Sequence, residues 1–177
     1  MIVFLLSGFL PCCLAASAQV SAGPTLDTSG VMAVRVNAGF SFGIALPESS
    51  AATVGLGVQA GTEAPLSITG SYAYTRFDGA LGARAELLTT ASLIGSTGTV
   101  ELAPSVLFVR HQSRSESAAS EKSFFSTSTT VSGRAISVRP HGGLQVRDNQ
   151  GEAADKRTFG GVFGVDVGYE FFLIDVL

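Results

Sequence analysis

Apolar and polar side chains alternate with a period of two along most of the chain. Between residues 34 and 44 the even positions are Val, Val, Ala, Phe, Phe and Ile, whereas the odd positions are Arg, Asn, Gly, Ser and Gly. This alternation predicts a β-strand with one apolar and one polar face. The pattern recurs along the sequence and predicts eight strands, at residues 34–44, 53–61, 66–77, 81–93, 99–111, 124–131, 135–147 and 158–172.

The predicted strands are long for a globular protein. Most span ten or more residues, whereas ordinary strands average about five or six residues and a tilted strand that crosses a bilayer needs about 9 to 11. Backbone groups in hydrocarbon must all be paired, so membrane strands have to close into a barrel. The pattern therefore predicts an all-β fold, an eight-stranded antiparallel up-and-down transmembrane β-barrel after an N-terminal signal peptide.

The connections between the predicted strands also differ in length. Tight connections at residues 61–65, 95–98 and 132–134 alternate with long polar ones at residues 112–123 and 147–157. If the chain starts in the periplasm, the tight turns are expected on the periplasmic side and the long loops outside. Pro104 and Pro140 lie inside predicted strands, where a residue without an N–H predicts a bulge.

The N-terminal segment has the pattern of an export signal. A short apolar stretch at residues 2–10 is followed by Pro11 and by Ala16-Ser17-Ala18, the small-x-small pattern that signal peptidase reads. The expected cleavage follows Ala18, and the alternative is a buried N-terminal strand. The predicted organisation is a signal peptide at residues 1–18, a short lead at 19–30 and the barrel at 31–177. Cleavage removes Cys12 and Cys13, so no disulfide or Cys-based metal site is expected.

The composition agrees with an apolar outer surface. Charged residues make up 14% of the chain and the mean hydropathy is +0.39, whereas soluble domains carry about a quarter charged residues. No apolar stretch reaches the 18 or more residues of a spanning helix, which excludes a helical membrane protein. The net charge of −3 and the pI near 5.3 offer no basic surface, so nucleic acid is not an expected partner.

The last predicted strand carries a family resemblance. Asp166, Gly168, Phe171 and Leu173 place a polar residue, a glycine and two spaced apolar residues near its end. From about residue 31 onward the chain resembles the small eight-stranded outer-membrane barrels related to opacity proteins and to the transmembrane domain of outer membrane protein A. In that family such a segment is the C-terminal assembly signal, although this chain ends at Leu177 rather than at an aromatic residue. The resemblance implies outer-membrane lipid, the barrel-assembly machinery and periplasmic chaperones as partners, in a Gram-negative bacterium.

The two faces of the predicted strands predict which side chains point outward and which point inward. One residue of slip would turn every side chain over. Ten apolar residues are expected to face lipid, namely Val36, Phe40, Val54, Leu56, Tyr72, Leu87, Phe108, Val138, Leu144 and Val165. Seven charged residues are expected inside, namely Arg35, Arg84, Glu86, Glu101, Arg139, Asp166 and Glu170.

An eight-stranded barrel is just wide enough to be filled by its interior side chains. The expectation for the seven interior charges is therefore a structural network of ion pairs, and the alternative is a gated pore. The predicted seventh, eighth and first strands should lie side by side. This arrangement should bring Arg139, Asp166 or Glu170, and Arg35 together near the periplasmic end.

One group of residues resembles an enzyme site. His111 and Ser113, with Glu116 and Glu121 in the following loop, are similar to the His-x-Ser arrangement of lipid A deacylases, in which Ser is the nucleophile and His the base. Arg114 stands where those enzymes have Asn. No catalytic role is therefore expected.

No cofactor or metal is expected either. His111 and His141 lie on different predicted strands without a further ligand at metal-binding spacing, and no Gly-rich loop precedes a helix.

The expected function is that of a non-enzymatic outer-membrane protein with a structural, adhesive or minor permeability role and an external ligand that the sequence does not identify. The alternative from another class is a secreted soluble β-barrel or sandwich that binds a small apolar ligand, whose outward faces should be polar. A lipid A deacylase-like esterase is the third hypothesis.

Overall fold

A computed structural model describes residues 14–46, 48–62, 64–94, 97–118, 127–148 and 157–176. Within these ranges the chain forms nine β-strands and no helix long and apolar enough to cross a membrane. The strands are β1 Leu14–Asp27, β2 Met32–Leu46, β3 Ser50–Gly61, β4 Ser67–Asp78, β5 Leu81–Ser92, β6 Thr97–Leu102, β7 Ser105–Ala118, β8 Thr127–Asp148 and β9 Arg157–Val176.

The sheet closes on itself. Strand β1 pairs with β2 on one side and with β9 on the other, so that Val20 is opposite both Ala38 and Tyr169. Strands β6 and β7 are two parts of one barrel strand, because both lie between β5 and β8. All pairings are antiparallel. The predicted all-β antiparallel fold is confirmed, and the described chain forms a barrel of eight strand positions.

Two of the predicted strand assignments are wrong. One strand was missed and two predicted strands are a single strand, so the predicted number of eight barrel strands is unchanged. The predicted sixth and seventh strands are one 22-residue strand, β8, so residues 132–134 form no turn. The first strand of the barrel is β1, which includes most of the expected lead at residues 19–30. Its outward Val20 and Leu26 and its inward Ser21 and Thr25 follow the same alternation as the other strands.

The two ends of the barrel differ from the predicted arrangement. The connections from β1 to β2, from β3 to β4, from β5 to β6 and from β8 to β9 lie at the end of the barrel that carries Asp27. The connections from β2 to β3, from β4 to β5 and from β7 to β8 lie at the opposite end, which carries Phe77. Leu14 at the start of β1 and Val176 at the end of β9 lie there too. The two connections that were expected to be long loops on one side therefore lie at opposite ends. The fusion of the two predicted strands into β8 removes one turn between these connections and causes this difference.

The two prolines lie at the same interruption of the sheet. Pro104 lies between β6 and β7. Pro140 on β8 lies opposite this gap, because residues 142–147 of β8 pair with β6 and the β8 residues up to Val138 pair with β7. Ladder bonds stop where neither proline can donate a hydrogen bond. The backbone of Ala103 instead donates to the carbonyl of Glu86 at 2.8 Å. The predicted bulges are wrong: Pro104 lies at a break between β6 and β7 without a register shift, and Pro140 stays in register with Val165 on β9.

The apolar faces of the strands point away from the barrel axis. All ten residues that were predicted to face outward are exposed or half-exposed, with Val36 at 46%, Leu56 at 55% and Leu144 at 68%. The predicted facing is confirmed. The side chains between them point into the lumen, where polar and charged residues outnumber apolar ones among the buried side chains.

A small apolar layer fills the lumen near the Phe77 end. Phe77 and Phe172 stack with ring centroids 4.4 Å apart, and Leu107 is fully buried beside them. The remaining members of this cluster are Ala15, Ala45, Ala51, Val131, Ala135 and Ile174. We call this cluster the apolar layer. It occupies the lumen near the end where β4 connects to β5.

Gly23 on β1 provides a test of how closely the strands approach inside the barrel. A Cβ atom at this position would lie 2.0 Å from the carbonyl oxygen of Val165 and 2.7 Å from Oδ1 of Asp166. We expect Gly23→Ala to lower the free energy of unfolding by about 1 to 3 kcal/mol, because the backbone of β9 has to move. Urea unfolding of the refolded protein in detergent measures this change.

Gly98→Ala is the matched control for this substitution. Its Cβ atom would lie 3.4 Å from the nearest atom, the carbonyl oxygen of Thr90, which is an ordinary contact. We expect little change or a small gain in stability, since alanine restricts the unfolded chain more than glycine does. Equal unfolding midpoints for the two variants would contradict the close approach of β1 to β9.

Candidate functional site

The seven charged residues that were predicted to lie inside the barrel are all buried in its lumen. They come from five strands, and each is 9% exposed or less. Their positions are Arg35 on β2, Arg84 and Glu86 on β5, Glu101 on β6, Arg139 on β8, and Asp166 and Glu170 on β9. Alternation places them on the inner face of their strands, and the closure of the barrel brings the strands together.

Asp166 lies at the centre of the network and has no solvent exposure. Arg139 donates a hydrogen bond from Nη2 to its Oδ2 at 2.8 Å. The Arg35 guanidinium lies 3.5 Å from the same oxygen, and Asn37 Nδ2 donates to it at 3.4 Å. Side chains from β2 and β8 therefore contact this carboxylate of β9. The backbone of β1 also lies close to it at Gly23.

Glu101 forms the second node of the network. Arg35 Nη1 donates to both of its carboxylate oxygens, at 3.0 and 3.1 Å. Thr99 Oγ1 donates to Oε1 at 2.8 Å, and Nδ1 of His141 lies 2.6 Å from Oε2. Arg35 thus joins Glu101 to Asp166 across the lumen.

The remaining carboxylates are also paired with arginine. Arg139 Nη1 donates to Glu86 Oε2 at 3.1 Å, and its Nη2 also donates to Ser21 at 2.8 Å. Arg84 forms an ion pair with Glu170 and donates to Thr75 Oγ1 at 2.9 Å. Removing a buried charge from such a set leaves its partner unpaired in a medium of low polarity. The arrangement holds the barrel wall together from the inside.

His141 is a member of the network that the sequence did not predict. It is 5% exposed, and its Nε2 lies 3.6 Å from Oδ1 of Asp166 while its Nδ1 faces Glu101. The sequence did contain a signal for its inward orientation, because His141 follows the predicted interior residue Arg139 by two positions and therefore lies on the same face of β8. Its partners could not be inferred because they lie on β6 and β9.

The predicted network has three arginines and four carboxylates. The His141 ring lies between two of these carboxylates, those of Glu101 and Asp166. Arg35 contacts the same two carboxylates.

The predicted seam is partly wrong. Strand β1 lies between β9 and β2, so the strand that carries Arg35 is not a neighbour of β9. Arg35 still reaches Asp166, because Gly23 on the intervening strand has no side chain between them. Glu170 pairs with Arg84 rather than with Arg35 or Arg139.

The predicted assembly-signal residues lie on β9, on two different faces. Asp166 is in the network, and Gly168 faces inward, where a Cβ would lie 2.6 Å from Ser137 Oγ. Phe171 and Leu173 face outward. The predicted cleavage-site residues Ala16 and Ala18 lie on β1, where Ala18 is opposite Phe40 and Phe171. Cleavage after Ala18 stays a prediction.

His111, Ser113 and Glu116 lie on β7 beyond Phe108, the last residue of β7 that pairs with β5. His111 follows a register shift in β7, and both His111 and Ser113 are exposed. Glu116 pairs with Arg114 at 3.0 Å on the surface, and Glu121 lies outside the described residues. Within the described ranges, no group of three or more His, Cys, Asp or Glu residues could hold a metal ion.

Comparisons with known proteins add two structural likenesses. No protein-family model matches the chain, and no curated protein matches it. The translocator domain of the autotransporter NalP from Neisseria meningitidis has 11% identity and a TM-score of 0.25, with 96% of this chain and 92% of that chain covered. The β-domain of the Bordetella autotransporter Brka has 9% identity and a TM-score of 0.25, with 92% and 98% covered. The closure of this barrel follows from its own strand pairing.

Proposed function

We propose that this chain is an integral outer-membrane β-barrel protein of a Gram-negative bacterium with a non-enzymatic role in the cell envelope. The observation that carries the proposal is the inverted distribution of side chains. Large apolar residues such as Phe40, Phe42 and Leu56 are more than half exposed on the outside, while arginines and carboxylates are buried inside. A soluble barrel or sandwich would instead require polar outward faces. Contiguous apolar surface of this extent is typical of a membrane contact.

The dimensions of the strands support the same proposal. Strands β1 to β5 contain 12 to 15 residues, more than the 9 to 11 or so that a tilted strand needs to cross a bilayer. If signal peptidase cleaves after Ala18, β1 keeps the nine residues from Gln19 to Asp27. The shortened strand would still be of membrane-spanning length.

The filled lumen favours a structural or adhesive role over a permeability role. Ion pairs span the middle of the lumen, and the apolar layer occupies the lumen near the Phe77 end. The cavity near Asn37 and Arg139 measures only about 20 Å³. We further propose, as part of the resemblance to opacity proteins and outer membrane protein A, that periplasmic chaperones and the barrel-assembly machinery insert the chain into outer-membrane lipid.

Membrane fractionation and heat-modifiable gel mobility test the proposal. We expect the protein in the outer-membrane fraction, with a folded form that migrates differently from the boiled form, and an intact mass that corresponds to a chain starting at Gln19. A soluble periplasmic protein with unchanged mobility would overturn the membrane proposal. A mass that retains residues 1–18 would overturn only the cleavage.

A charge on the outer face makes the test sharper. Leu56 lies at the middle of β3 and faces outward, so we expect Leu56→Arg to cost about 2 to 4 kcal/mol in a bilayer. Ala80→Arg, in the exposed turn between β4 and β5, is the control and should have little effect. Refolding titrations into lipid vesicles measure both. If the two variants refold equally well, the outer face of β3 does not contact lipid.

A further inference from the structure

A small cavity lies inside the lumen near the Asp27 end. Its volume is about 40 Å³. Thr62 and Ala64, from the connection between β3 and β4, lie on its outer side, and Arg35 and Glu101 of the charged network also line it. The cavity therefore lies between the rim of the barrel and the network.

Three buried polar atoms that line this cavity have no hydrogen-bond partner among the described residues. They are Oε1 of Gln59, Oγ of Ser67 and Oγ1 of Thr90. The three residues are 9%, 0% and 8% exposed. A buried hydroxyl or amide without a partner is costly, and native proteins rarely leave such a group unsatisfied.

The strand register places these groups in one continuous row. Gln59 on β3 is opposite Ser67 on β4. The next inward residue of β4, Thr69, is opposite Thr90 on β5, which is itself opposite Thr99 on β6. Thr99 donates a hydrogen bond to Glu101. The row thus leads across neighbouring strands to the carboxylate that Arg35 and His141 contact.

The size and charge of the site indicate its occupant. A buried water needs roughly 10 to 15 Å³ of such space and about three polar partners, so the cavity has room for two or three waters. A cation is not required, because Arg35 already donates to both oxygens of Glu101, the carboxylate that lines the cavity. The unpaired groups are neutral, and water can both donate to them and accept from them.

We propose that this cavity is a hydration site, in which a cluster of bound water molecules satisfies Gln59, Ser67 and Thr90. Glu101 of the charged network lines the same cavity. A second cavity of about 100 Å³, which also has Gln145 in its lining, lies at the rim beside Asp27. The hydration site therefore lies between the Asp27 rim and the charged network, and the envelope role of the barrel does not require it.

Replacing a buried hydroxyl with a methyl group tests this proposal, because the direction of the change in stability depends on whether water is bound. If water is bound, Thr90→Val loses a hydrogen bond, and the equilibrium constant for folding in detergent should fall by roughly three- to tenfold. If the cavity is dry, the same substitution removes an unsatisfied group, and the folding constant should rise. Ser67→Ala provides the same comparison in case Thr90→Val does not refold. Ala85→Val, which faces outward on the same strand and removes no hydrogen bond, controls for the effect of valine in β5.

A direct measurement accompanies the variants. In the NMR spectrum of the refolded protein, we expect through-space cross-peaks between water and the amide protons of Ser67 and Thr90. The amide protons of Leu107 and Ala135 in the apolar layer should show none. Missing cross-peaks at Ser67 and Thr90, or a folding constant that rises in the variants, would overturn the proposal. So would a sodium or potassium dependence of wild-type stability that Thr90→Val abolishes, because it would identify a bound cation instead.

Discussion

Replacing Asp166 with alanine is expected to lower the free energy of unfolding of the barrel by about 3 to 5 kcal/mol. Asp166 has no solvent exposure and pairs with Arg139 at 2.8 Å and with Arg35 at 3.5 Å. The substitution leaves two arginines in the lumen without one of their carboxylates. Urea or guanidinium titrations of the protein refolded in detergent or in lipid vesicles measure the loss. Asp166→Asn keeps the shape of the side chain and should also be strongly destabilised, because the cost arises from charge.

Glu116→Ala is the control for Asp166→Ala. Glu116 pairs with Arg114 at 3.0 Å, but both side chains are more than 60% exposed. Exposed ion pairs contribute only about 0 to 1 kcal/mol, so we expect a small effect. Equal stability of the two alanine variants would mean that the lumen hydrates its charges. A wetter interior, able to conduct ions, would then describe the barrel better than a network of buried pairs.

Phe172→Ala is expected to lower the free energy of unfolding by about 3 to 5 kcal/mol. Phe172 is 6% exposed and stacks on Phe77 in the apolar layer. Truncation to alanine removes the ring contact and leaves a cavity that the surrounding strands cannot close, because their positions are set by the barrel. The same refolding titrations report this loss.

The neighbouring residue supplies a matched control. Phe171 points outward, is 52% exposed, and contacts the ring of Tyr169 and the guanidinium of Arg134. We expect Phe171→Ala to cost about 1 kcal/mol, the loss of an aromatic pair and a cation–π contact. A larger loss for Phe171→Ala than for Phe172→Ala would place the core on the outer face of β9, contrary to the inverted barrel.

Alternation alone was enough to assign the inward and outward faces. On β2, for example, Arg35 and Val36 follow each other and point to opposite sides. A period of two is a local property of an extended chain, and it holds whichever strands become neighbours. The long strands and the low charge content then indicated which face needs an apolar environment. The seven buried charges could be predicted for the same reason.

Strand boundaries were less predictable where another signal competed with alternation. The alternation of Val20, Ser21 and Ala22 was present in the sequence, but the small residues before it favoured a cleavage site and a lead segment. Ser132 and Gly133 favoured a turn inside β8. In the structure both segments are held in strands by pairing on both sides, and cross-strand pairing outweighs local turn propensity.

The sequence by itself therefore determined an all-β chain of two-faced strands with charges on the inner face. Only the tertiary structure decided which charges meet. Arg35 and Asp166 are 131 positions apart and are separated by a further strand, and their contact depends on the missing side chain at Gly23. His141 joins the network through residues of β6 and β9. Periodicity specifies the direction of a side chain along its own strand, whereas register, strand order and closure depend on hydrogen bonds between distant segments.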